Sequence, residues 1–189
     1  RAPLGVCSNG AMHGAFQERF RVESFETLEE IEAVVAELEG VRMPREGGQP
    51  TQLGQATCVH GLGHLTMYIT GANINDSLAL CYRLLDDDSQ HSVRQLCYDG
   101  VFMQIFQPLE PEDFALIAGK EIETKEASTR LCSQFEGAKR GSCLSESWPL
   151  YRDEMNDPQT IVGMCERSRF DEWQHQRCYE SMFYIAMAQ

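Results

Sequence analysis

His60 and His64 stand one helical turn apart in the stretch Cys58-Val59-His60-Gly61-Leu62-Gly63-His64. Imidazoles at i and i+4 project from one helix face and can chelate a single ion. An earlier, related stretch, Cys7-Ser8-Asn9-Gly10-Ala11-Met12-His13, offers a third nitrogen. Three histidines with an open coordination position suit Zn²⁺, Cu²⁺ or Fe²⁺. The expectation is therefore a metal site of His13, His60 and His64, with Asn9, Glu18, Asp99 and Met103 completing the coordination or bonding to the ligands. Two other readings use the same histidines: a metal-free polar seam between packed helices, or acid/base catalysis without a metal.

HGLGH lacks the glutamate that serves as general base in HExxH metalloproteases, so hydrolysis would need Glu18, Asp99 or another carboxylate in that role. Cys58 acting as a nucleophile beside a local histidine would leave Cys7 without a partner. No phosphate-binding loop, GxSxG elbow or dinucleotide fingerprint occurs, so no nucleotide cofactor is expected. Met12, Met67 and Met103 lie near the histidine stretches and suggest copper handling, although methionine at helical spacing more often fills a core. His91 and His175 fall in or near expected turns and read as solvated. Asn75-Asp76-Ser77 matches a glycosylation sequon.

The same pattern recurs at Cys97-Tyr98-Asp99-Gly100-Val101-Phe102-Met103 and Cys178-Tyr179-Glu180-Ser181-Met182-Phe183-Tyr184, and a degraded copy starts at Cys143. Each full copy has a polar residue at +2, glycine or serine at +3 and a larger side chain at +6. On a helix, +2 and +6 share a face while the cysteine points roughly 200 to 240° away. One face can then carry a disulfide and the other a groove lined by Asn9/His13, His60/His64, Asp99/Met103 and Glu180/Tyr184. The small residue at +3 would let a backbone or ligand approach closely.

Eight cysteines with no CxxC or CxxCH spacing argue against zinc ribbons, thioredoxin-like pairs and c-type haem, and favour four disulfides in an oxidising compartment. The chain is expected to be periplasmic or extracellular. Sixteen basic against twenty-nine acidic residues, a net charge of -13, weigh against nucleic acid and anionic membrane surfaces. A cation or a basic partner is compatible with this charge, although an acidic total is usually only a solubility feature. No apolar run approaches the ~20 residues of a membrane span. A chain opening at Arg1, without Met or a visible signal sequence, reads as a processed or trimmed product.

Positioning these residues requires helices. Residues 10–22 read as a first helix, and Thr27-Leu28-Glu29-Glu30 as a capping box opening a second that stops at Gly40. Residues 41–55 carry loop chemistry. The central helix is expected from about Ala56 to Thr70, with Gly71 as its stop. A short helix capped by Asn75 or Asp76 follows through Leu85, then an acidic turn at 86–88, then a long helix capped by Ser89 and running through Gln107. Segments 111–118, 124–135 and 139–151, the last broken or kinked at Pro149, precede a closing hairpin of 158–167 with 171–188.

No segment alternates as a strand does, so the expected fold is all-α, a single domain (1–189) of irregular helical hairpins in a solenoid-like array. Leading cysteines at 7, 58, 97, 143 and 178 are spaced by 51, 39, 46 and 35 residues, in the range of helical-hairpin repeats. In general arrangement the chain resembles the disulfide-bridged Sel1-like repeat proteins. It lacks their consensus spacing, since its cysteine pairs are too far apart and no repeat length is regular, and no residue roles carry over. The function expected is an extracytoplasmic binding or accessory module with a histidine-centred metal site and a protein partner on its concave face. Alternatives are a small hydrolytic or oxidative metalloenzyme using the same cluster and a purely structural subunit of a larger assembly.

Cys81 and Cys97, Cys132 and Cys143, and Cys165 and Cys178 each flank one expected interhelical turn, which leaves Cys7 for Cys58. Peptide mapping without reduction is expected to recover these four linkages. A peptide joining Cys58 to Cys81, or free thiols throughout, would refute the framework.

Overall fold

The computed structural model describes residues 52–85, 91–168 and 172–187, with side chains of 52–58, 91–93, 173 and 174 left aside. The expected helices at 10–22 and 27–40, the acidic turn, the Ser89 cap, and His13, Asn9, Glu18 and the Cys7–Cys58 bond lie outside the described residues. Every regular element among the described residues is helical: α1 (Gln52–Ile69), α2 (Ile74–Leu84), α3 (His91–Phe106), α4 (Pro111–Leu116), α5 (Lys125–Cys132), α6 (Gly137–Glu146), a 3-10 helix (Trp148–Glu154), α7 (Pro158–Ser168) and α8 (Glu172–Met187). The fold is all-α. The chain divides into two compact units between Val101 and Phe102, within α3.

In the first unit, α1 begins at Gln52 and so runs through Gly54, earlier than the loop-like composition suggests. One interior glycine costs about 1 kcal/mol, a penalty that an 18-residue helix can absorb. Gly71 stops it as expected, at φ 59°. The Ala72 N–H donates to the Met67 carbonyl (2.7 Å) and the Gly71 N–H to that of Tyr68 (3.2 Å), which satisfies two carbonyls at the helix end. Helix α2 packs on α1. Its cap is Asn73, not Asn75 or Asp76: extended at that point, Asn73 accepts from the Asp76 N–H through its side chain. Ser77, fully buried, donates to the Asn73 carbonyl (2.8 Å) and meets the Thr70 hydroxyl at 2.7 Å, fastening the α1–α2 corner.

Cys81–Cys97 staples α2 to α3. Beside it the buried Arg94 donates from Nε to the Leu85 carbonyl (2.8 Å) and lies 4.2 Å from the centre of the Tyr82 ring. Helix α3 crosses α1 at backbone contact. A Cβ added to Gly63 would fall on the Cys97 carbonyl oxygen and 2.9 Å from the Gly100 Cα, and one on Gly100 would fall on the His60 carbonyl oxygen. Gly61, by contrast, has nothing within 4 Å of its Cβ position.

The second unit is a run of hairpins in which α5 packs on α6, α6 on α7 and α7 on α8. Thr124 caps α5 by accepting from the Ala127 N–H (3.1 Å). At Pro149 the helix breaks, one of the two expected outcomes: α6 ends at Glu146 and a 3-10 helix follows, where a proline near the start loses no hydrogen bond. Cys132–Cys143 and Cys165–Cys178 close two of the hairpins as expected, with Cα–Cα distances of 5.5 Å. Met155, Ile161, Met164 and Met182 form the core around the second bridge. All six cysteines in these three bonds are buried. Each loop closure of this length stabilises by about 3 kcal/mol through the unfolded chain.

The two central glycines are expected to respond oppositely to alanine. Gly63→Ala forces backbone apart and should cost about 1–3 kcal/mol in chemical denaturation, whereas Gly61→Ala meets open space and should stabilise by up to about 1 kcal/mol. Equal effects of the two substitutions would contradict the crossing.

Candidate functional site: the His60–His64 pair

The pair follows from local helix geometry. The four-residue offset puts both rings on one side of α1, with centroids 5.1 Å apart and planes inclined at 60°. The two Nε2 atoms face each other at 3.2 Å. His64 is buried and His60 half-buried, so the site has a closed end and a side open to solvent. Its frame is the α1–α3 crossing, since the carbonyl of His60 and the Cα of Gly63 are the atoms against which Gly100 rests.

Two chemical states fit that distance. Without an ion, one ring donates its Nε2–H to the bare Nε2 of the other, so the rings must be opposite tautomers. To hold an ion, both would carry their protons on Nδ1 and offer their Nε2 lone pairs to it. Two Zn–N bonds of about 2.0–2.1 Å at a tetrahedral angle put the nitrogens about 3.3–3.4 Å apart. That separation is close to the 3.2 Å between the two Nε2 atoms.

The other expected ligands divide. Asp99 is buried on α3, next to the Gly100 contact. Among the described residues, however, no group of three or more His, Cys, Asp or Glu comes together around an ion site. Met103 lies past Val101, in the second unit. Burial pushes the phenol of Tyr98, beside Asp99, above its ordinary range, with Arg94 pulling partly the other way. Tyr98 thus stays a neutral phenol through the physiological range.

Neither member of the last copy's pair is enclosed: Glu180 is exposed and bonded to Gln176 (2.8 Å), and Tyr184 is 72% exposed. Nor is +3 uniformly the contact position, because in the Cys58 copy the close approach is made by Gly63 and not Gly61. The usable signal is the four-residue spacing Val59–Gly63–Met67, all three buried. His175 lies beside a helix connection as expected, but its side chain is half-buried. It sits within α8, its Nε2 3.0 Å from Glu166 Oε1 across the stapled hairpin, with its ring edge-on to Tyr179.

No described helix is long and apolar enough to cross a membrane. Protein-family models, characterised proteins and solved structures were compared with the chain, and none matches.

Burial ranks the two histidines. In the presence of chelator, His64→Ala removes the bond and leaves a void, and is expected to cost about 1–3 kcal/mol; His60→Ala, losing the same bond from a half-solvated position, should cost about 0.5–1.5 kcal/mol. Thermal or denaturant unfolding of both variants is the measurement, and a costlier His60 substitution would contradict the burial order.

Proposed function

We infer that this protein is an extracytoplasmic, disulfide-stapled helical module that binds a divalent transition metal through His60 and His64. The observation that carries the reading is the 3.2 Å separation of two Nε2 atoms on a helix held at backbone contact with its neighbour. Pre-organisation of this kind removes the ordering cost that a flexible pair would have to meet on binding. His13 is the third nitrogen in this reading, leaving at least one exchangeable position. All-nitrogen ligation favours Cu²⁺ and Zn²⁺ over Mn²⁺ or Mg²⁺.

Three buried disulfides support an oxidising compartment, because such bonds persist in secreted and periplasmic proteins. The net charge of -13 favours a cation or a basic protein partner, the latter on the concave face of a hairpin array. In this reading the module binds and presents the metal or docks a partner; catalysis would need a general acid or base beside the open position.

Metal analysis of protein purified without chelator, then titrated with Zn²⁺ or Cu²⁺, is the direct test, run beside His60→Ala and His64→Ala variants checked for intact helicity. Stoichiometric metal in the wild type is expected, with affinity falling by more than the roughly 10–100-fold typical of losing a supporting contact in either variant. Affinity should also weaken as the pH is lowered, since protons compete for both Nε2 lone pairs. A folded wild type that takes up neither metal would leave the pair as a polar seam.

A further inference from the structure

Asn75 lies between two residues that fasten the start of α2. Asn73, two positions earlier, caps the helix and bonds Asp76 through Nδ2 (2.6 Å). Ser77, two positions later, is buried and donates to the Thr66 and Asn73 carbonyls. Asn75 is exposed and sits in the first turn, where asparagine is a weak helix former. With Asp76, Ala79, Tyr82 and Arg83, all exposed, it forms the outer face of α2. Tyr82 is 51% exposed and, seven residues on, lies about 10 Å along the same face.

We propose that Asn75 is an N-glycosylation site, the acceptor of the sequon Asn75-Asp76-Ser77, and that the glycan lies along the outer face of α2. The proposal rests on the extracytoplasmic reading above, taken in its secretory form, an oxidising setting with which the disulfides agree. In the reaction Nδ2 displaces the diphosphate of a lipid-diphosphate-linked oligosaccharide. The new C–N bond forms at the anomeric carbon as its C–O bond breaks, the lipid diphosphate leaves with the electron pair, and Nδ2 gives up one proton. Ser77 is fully buried, so the sequon is legible to the transferase only before α2 docks. The finished glycan needs no rearrangement, because the Asn75 side chain already faces solvent.

The test is to secrete the full chain from a eukaryotic host and map it with and without peptide-N-glycosidase. The expected result is a glycosidase-sensitive mass increase, with Asn75 converted to aspartate by the enzyme, lost in N75Q and retained in S77T. S77A should also lose it, but removes a buried hydroxyl, so N75Q and S77T carry the decision. Secreted, disulfide-bonded wild-type protein with unmodified Asn75, or a mass increase that survives N75Q, overturns the proposal. Either outcome leaves the metal reading untouched, since metal uptake is measured separately.

Discussion

Backbone-to-backbone contact between α1 and α3 is the constraint on which the first unit depends. Two helices normally stand 8–10 Å apart, with side chains between them. At Gly63 and Gly100 no side chain intervenes, and each glycine rests on the main chain of the other helix. The register of α1 against α3 then has no freedom to slide, because the residues before and after each glycine carry a Cβ. That register sets where His60 presents its ring and where the Cys97 end of the staple must meet Cys81.

The disulfides act on a different scale. They link residues only 16, 11 and 13 positions apart, each across a single turn, and so narrow the unfolded ensemble locally. Hairpins closed this way need little long-range order to begin folding, and the described elements pack mainly on their sequence neighbours. The second unit follows that logic closely: α5 to α8 pack in sequence order, with Lys125 bonded to Glu154 and set over the Tyr151 ring as a polar clasp on the outside.

Within that frame local helix geometry fixes the histidine pair, with the two Nε2 atoms 3.2 Å apart. A shared proton accounts for that separation, and a shared ion would need nearly the same one. Neither state would ask the helix to move. What distinguishes them is the tautomer of one ring and the presence of a third ligand, both of which are properties of side chains and not of the backbone.

Much of this was readable from residue types. Helix existence followed from periodicity and from stops such as Gly71, and the three hairpin bridges followed from cysteines flanking turns. The His60–His64 pair followed from a four-residue offset, which is purely local geometry. Other features were decided only by tertiary packing. Gly61 and Gly63 are indistinguishable as a composition signal, yet α3 touches one and leaves the other open, because residues two apart on a helix face different neighbours. Asp99 and Glu180 hold equivalent positions in the repeated pattern, yet one is buried and the other solvated, and His175 finds Glu166 across a hairpin that local pattern alone does not orient. Sequence periodicity determines which side chains share a face; which of those faces meets another helix is a property of the assembled chain.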